Sequence, residues 1–390
     1  MTAVGALVAA GATALAVLPL SAQQAPQKIP MRAGLIVVTA IASPQGDGES
    51  IKRIEAIDAK GIHLSYSGDV ERKGAASSPL DALGIGGGRS SRRAEPTRQR
   101  VTSKRTIRRE DLKAARAYQA LFGPAIPTVI PGSTAISTSS AVLADLKEKG
   151  RTDFSCACEM SADAALGRVA QSLQSVLGSD APELKDLGDA GMLRGTLARV
   201  GTGTVPFAVL VNNQRVNLPA IHAQGRLGGK DAAFFFLDDP DHPLTLRWHV
   251  GGSWIQVVKI AFPGDQPSRQ IETTLEKTGR VEVYGIYFDT ASAAMKPESE
   301  PVLKEIADAL VKNPSWKLNV EGHTDNIGGN AYNLDLSRQR AAAVKEALVT
   351  RFRVATTRLA TEGFGASRPK ETNTTLDGRA RNRRVELVRQ

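Results

Sequence analysis

Residues 320–341 read VEGHTDNIGGNAYNLDLSRQRA. Ahead of them Trp316, Leu318 and Val320 alternate as a half-buried strand does, and the strand runs straight into a glycine-rich loop that holds Asp325. Behind the loop, Leu336, Ala343, Val344, Ala347 and Leu348 recur at helical spacing, so a helix is predicted over about 335–351 with Arg340 on it. Asn333 or Asp335 is expected to cap that helix. A carboxylate only accepts hydrogen bonds, and a guanidinium offers a planar fork of donors. Asp325 beside Arg340 therefore suits a ligand that carries an ammonium and a carboxylate on one carbon. Gly322, Gly328 and Gly329 bracket Asp325, and glycine allows close backbone approach or positive φ, as a loop wrapped round a small charged group requires.

Outward from this stretch, residues 281–390 read as one domain. Val281, Val283, Ile286 and Phe288 suggest a strand, and Val302, Leu303, Ile306 and Leu310 a helix with Pro301 in its first turn. Asn313-Pro314 ends that helix. Further strands are predicted near 359–363 and 384–388, which makes a two-layer α/β sandwich.

Several blocks stand in order here. They are Tyr287-Phe288-Asp289-Thr290, Lys296-Pro297, Gly322 to Asn326, Leu336-Ser337 with Arg340-Ala341, Gly363-Phe364-Gly365, Gly378-Arg379-Ala380 and Asn382 to Glu386. With these blocks the segment resembles the OmpA-like C-terminal domain, the peptidoglycan-anchoring module shared by OmpA, the Pal lipoproteins and flagellar stator proteins. The resemblance implies that Asp325 and Arg340 hold the diaminopimelate of a cell-wall stem peptide. It places Phe288, Thr324, Asn326, Asn333, Leu336 and Ser337 around them, although Leu336 reads as core and Asn333 as structural. Arg383 and Arg384 read as strand-start charges that pair across the fold, with a ligand role second. No cofactor, metal or catalysis is implied.

At the other end, Ala3 to Leu20 is apolar and uncharged and leads into Ser21-Ala22-Gln23. Residues 1–22 read as a signal peptide cut near Ala22, with an uncleaved anchor as the rival. Lys28 and Arg32 disfavour the anchor. No Cys stands at the cleavage point, which disfavours a lipoprotein. The expected location is the periplasm or outer membrane of a diderm bacterium.

Residues 30–265 resemble no family. They are predicted as an α+β domain rich in antiparallel strands, joined by a linker at 266–280. Expected strands include Leu35–Ala42, a hairpin of Ile51–Ile57 and Ile62–Ser67, and six more between Leu193 and Ile260. Helices are expected over 110–122, 141–148 and 162–177. Residues 81–109 combine glycine, serine and a run of Lys and Arg, and read as a flexible basic loop. With only 5% aromatic residues and three helices interrupting the strands, a membrane barrel is disfavoured. A partner or envelope contact is the expected role of this domain. The net charge of +10 does not point to nucleic acid, since no matching motif accompanies it. Cys156 and Cys158 flank one residue of a predicted strand and would face the same way, giving a strained disulfide or two inert thiols. The rival class is a wall-directed enzyme. His323, Asp325 and Ser337 supply triad residue types, but no nucleophile-elbow motif holds them. The acidic cluster Asp238-Asp239-Pro240-Asp241-His242 reads as a turn.

Overall fold

Strand β1 (Ile36–Ser43, IVVTAIAS) explains how the two halves of the protein meet. Leu35 and Val37 pack into the core of the N-terminal half, while Ile36, Val38 and Ala40 pack with Tyr287 and Ala380 of the C-terminal half. A strand buried on both faces reads as a near-continuous apolar run, and this one does up to Ala42 apart from Thr39, whose hydroxyl is hydrogen-bonded to Ser50 and Lys52. The computed structural model describes residues 28–43, 46–72, 97–123, 126–158, 192–262 and 269–390.

β1 lies inside a 13-stranded sheet. Its other members are β2 (Gly46–Ile57), β3 (Gly61–Arg72), β4 (Thr97–Arg108), β5 (Ala117–Gln119), β6 (Ser133–Thr134), β7 (Arg151–Ala157), β8 (Leu193–Arg199), β9 (Val205–Val211), β10 (Gln214–Leu227), β11 (Lys230–Leu237), β12 (Thr245–Val250) and β13 (Ser253–Ala261). The order is β4-β3-β2-β1-β13-β12-β11-β10-β8-β7-β5-β6, and β9 pairs with both β10 and β13. Because β9 meets β13, strands β9 to β13 close on themselves in a five-stranded ring.

Among the described residues this half is rich in antiparallel strands, as expected, and its sheet outweighs its helices more than the α+β expectation has it. Its helices among the described residues are α1 (Arg109–Ala114) and α2 (Ser140–Glu148), the latter capped by Ser139 accepting from the Val142 amide at 3.2 Å. The helix expected over 110–122 stops at Ala114. Beyond it the Ser155 amide donates to the Arg116 carbonyl at 2.9 Å and β5 pairs in parallel with β7, so the chain is drawn into the sheet. The helix expected over 162–177 lies outside the described residues.

The flexible basic loop expected over 81–109 needs correction where it is described. Residues 97–108 are a strand paired with β3 along its whole length. Arg105 and Ile107 are buried while Thr102 and Lys104 are exposed, which is strand alternation with an arginine at an inward position. The Arg105 guanidinium stacks 5.0 Å over Phe122. Cys156 and Cys158 are joined as a disulfide. β7 ends at Ala157, so their Cα atoms stand only 5.3 Å apart.

The C-terminal half has its own core. Helix α3 (Gln270–Thr278) occupies most of the expected linker and buries Ile271 and Leu275 in that core. It is followed by β14 (Arg280–Val283), a 3-10 turn at 297–299, α4 (Glu300–Lys312), β15 (Leu318–His323), α5 (Asn330–Phe352), β16 (Leu359–Gly365), α6 (Leu376–Asn382) and β17 (Val385–Arg389). The sheet order is β14-β17-β15-β16, with β15 and β16 parallel. α5 begins five residues earlier than expected, after Gly329, so neither Asn333 nor Asp335 caps it.

Polar contacts reinforce the apolar seam between the halves. Arg100 grips Asp289 with two hydrogen bonds of 2.8 and 2.7 Å. Lys296, buried, reaches Asp69 at 3.2 Å and Asp289 at 3.0 Å. The amide and hydroxyl of Thr290 both donate to Asp69, at 2.7 and 2.8 Å. No helix among the described residues is long and apolar enough to cross a membrane.

Candidate functional site

The end of β15, the start of α5 and the segment before α4 surround a cavity of about 350 Å³. Asp325 stands two residues beyond the end of β15, after Thr324. One of its carboxylate oxygens accepts from the Ile327 amide at 3.0 Å and the other from Arg383. The loop that carries it is tied down by Asn333, whose side-chain amide donates to the carbonyls of Asp325 (3.3 Å) and Ile327 (3.1 Å). Asn333 thus acts on the loop backbone, in agreement with the structural reading of it. Gly328 takes φ 97°, where a side chain would be strained, and makes the bend. Gly322 has a different task from the one expected. A Cβ there would strike the backbone carbonyl of Ser337, so this glycine lets α5 approach β15.

Arg340 projects from α5 into the same cavity. Its guanidinium lies 4.9 Å over the Phe288 ring, and Nε and Nη2 donate to the carbonyls of Ser292 (3.0 Å) and Asp289 (3.4 Å). Among the described residues Nη1 has no partner, so a donor remains for a ligand. Burial, with Arg383 nearby, pulls the Arg340 pKa down to about 10, so the group stays charged at neutral pH.

Phe288, Thr324, Asn333 and Leu336 line the cavity with Asp325 and Arg340. Asn326 and Ser337 do not. Asn326 is exposed, and Ser337 is on the buried face of α5, donating to Leu334 O at 2.8 Å and accepting from the Gly365 amide at 2.9 Å.

Two further groups complete the site, and the first pairs across the fold as its sequence suggests. Arg383 bridges Asp325 and, at 2.5 Å, Glu49 on β2. Burial opposes its charge, but the two carboxylates outweigh that and raise its pKa. Glu49 is held down to about 2; burial pushes it up, but Arg383 and Lys259 prevail. The second group is the part of the N-terminal sheet that walls the cavity: Ala40, Ile41, Gly48, Glu49 and Lys259. Only the register of β1 against its neighbours places these residues, and no local motif signals it.

His323 is buried, stacked 5.4 Å from Phe364, and its ring nitrogens have no hydrogen-bond partner among the described residues. Burial, with Arg384 nearby, lowers its pKa to about 4. Its Nε2 lies 3.7 Å from Glu386, and neither Asp325 nor Ser337 hydrogen-bonds to it, so the triad residue types are not assembled as a triad. Glu321, His323 and Glu386 converge, yet Arg280 holds Glu321 at 2.9 Å and Arg384 holds Glu386 at 2.8 Å. A divalent cation there would have to displace guanidinium groups. In the acidic cluster, Asp239 accepts from the amides of Asp241 and His242 at 3.1 and 3.3 Å, which is a turn.

Residues 287–383 match the model of the OmpA family. The chain is 44% identical over 101 residues to outer membrane porin F of Pseudomonas aeruginosa, a match spanning 26% of this chain and 29% of the porin. It is 37% identical over 134 residues to the peptidoglycan-binding protein ArfA of Mycobacterium bovis, spanning 34% of this chain and 41% of that protein. The chain thus spans less than half the length of these two relatives. Among solved structures, the cell wall anchor of the T6SS from Pseudomonas aeruginosa is 31% identical with a TM-score of 0.26, covering 32% of this chain and 96% of that one. Residues 287–383 form an OmpA family domain at the C-terminal end of this chain.

Proposed function

We propose that the C-terminal domain binds peptidoglycan noncovalently, through the amino-acid end of diaminopimelate in the stem peptide, and so anchors a cell-envelope protein to the wall. The observation that carries this reading is the placing of Asp325 and Arg340 in one cavity of about 350 Å³, an acceptor and a donor facing the same space. Each carboxylate oxygen of Asp325 keeps acceptor capacity beyond its present bond, enough for an ammonium. Nη1 of Arg340 supplies a donor for the ligand carboxylate, and the guanidinium rests over the Phe288 ring at 4.9 Å. The peptidoglycan-binding relative ArfA, similar over this domain, supports the same reading. The role is one of binding, in the periplasm or at the outer membrane.

The test is retention of the full-length protein on purified sacculi. Asp325→Ala and Arg340→Ala are expected to fold and to bind about tenfold or more weakly, since each leaves one ligand charge unpaired. Retention of both folded variants at the wild-type level would refute the site.

A further inference from the structure

The wall that the N-terminal sheet contributes to the cavity follows from strand register. Val38 and Ala40 of β1 face the C-terminal half. Residues paired directly across antiparallel strands share a face. Lys259 pairs with Val38, and Glu49 pairs with Ala40, so both are turned toward the C-terminal half. A β-bulge in β13 makes this possible. The register against β1 jumps from Lys259 to Val257, leaving Val258 as the extra residue. Val257 and Ile260 face the N-terminal core, while Val258 and Lys259 in succession face the other way.

Lys259 is 5% exposed. Among the described residues it makes no hydrogen bond and no ion pair. Its ammonium lies 5.7 Å over the Tyr287 ring. Glu49, the acid that acts on it, is taken up by Arg383 at 2.5 Å. A buried ammonium without a close anion is costly, and burial accordingly lowers its pKa, with Glu49 pulling the other way and Arg383 and Arg340 adding to the lowering. Lys259 also borders a second cavity, of about 310 Å³, but Glu49, Arg383 and Arg340 all line the first.

We propose that Lys259 belongs to the ligand site and takes a second carboxylate of the same cell-wall peptide whose amino-acid end rests on Asp325 and Arg340. This rests on the function proposed above and makes the site a product of both halves of the chain. A stem peptide in which diaminopimelate follows a γ-linked glutamate carries such a carboxylate beside the amino-acid end. The N-terminal sheet would then select between peptides in which that carboxylate is free and those in which it is amidated.

The experiment is calorimetric titration of the full-length protein with two synthetic peptides, L-Ala-γ-D-Glu-meso-diaminopimelate and its analogue with the glutamyl carboxylate as the amide. The wild type is expected to bind the free acid about tenfold more tightly, as a charge-assisted hydrogen bond provides. Lys259→Met and Lys259→Gln should bind both peptides equally, at the strength with which the wild type binds the amide. Binding of the amide reports in the same sample that the variant is folded. Retained discrimination in the variants overturns the proposal, and so does tighter binding, which would make the sheet a lid and not a wall. If the wild type binds neither peptide, or Asp325→Ala changes nothing, the function itself fails, whatever Lys259 does.

Discussion

Glu49 and Arg383 form an ion pair of 2.5 Å that joins the N-terminal sheet to the C-terminal domain at the edge of the candidate site. Arg383 is the cation shared by Glu49 and Asp325, so it positions a candidate ligand-binding carboxylate and docks the two halves at once. Arg383→Met is expected to lower stability by about 2–4 kcal/mol, because two partly buried carboxylates then face each other without their cation. Urea unfolding measures this. Adding Glu49→Gln should recover part of the loss, and an additive double variant would deny the coupling.

Stability should fall through two successive acid windows that overlap between about pH 4.5 and 4. His323 has a pKa lowered from 6.5 to about 4, so the unfolded chain binds its proton first; its contribution is complete above 6.5 and declines as pH drops toward 4. Glu49 is lowered from 4.5 to about 2, so its contribution is present above 4.5 and is lost between 4.5 and 2. The lower window is worth on the order of 2 kcal/mol after allowance for partial exposure. Glu49→Gln should flatten the lower window alone. An NMR titration should find the His323 ring neutral down to about pH 4, and a midpoint near 6.5 would contradict its buried, uncharged state.

Gly322→Ala should destabilise the C-terminal domain by about 2 kcal/mol or more, because the added methyl meets a backbone carbonyl of α5 that cannot turn away. Thermal unfolding checks it. A loss of binding with unchanged stability would instead restore Gly322 to the ligand loop.

The C-terminal fold was legible because its signals are local. Leu318 and Val320 alternate into a strand, Val344, Ala347 and Leu348 repeat along a helix, and both turned up there, in one core. Asp325 and Arg340 also line one cavity. What escaped was non-local. Glu49 and Lys259 stand 210 positions apart and reach one wall only because β2 and β13 flank β1, with a bulge turning Lys259 over. Arg105 made β4 look like a solvated basic tract, since an inward arginine stacked on Phe122 breaks the alternation that marks a strand. The start of α5 was misplaced because Asn333, a residue type that favours caps, lies inside the helix and bonds back to the loop.

Recognition through a pocket and recognition through a basic surface differ in how they respond to salt. Scattered charges fade at about 0.15 M salt, where the Debye length is roughly 8 Å, whereas groups that hydrogen-bond the ligand directly are screened less. The most direct measurement is binding of the full-length protein to sacculi in rising salt, with and without free meso-diaminopimelate. With a pocket, salt should weaken binding only in part, and meso-diaminopimelate should still compete at high salt. Binding abolished by moderate salt, with no competition at any concentration, would contradict the pocket.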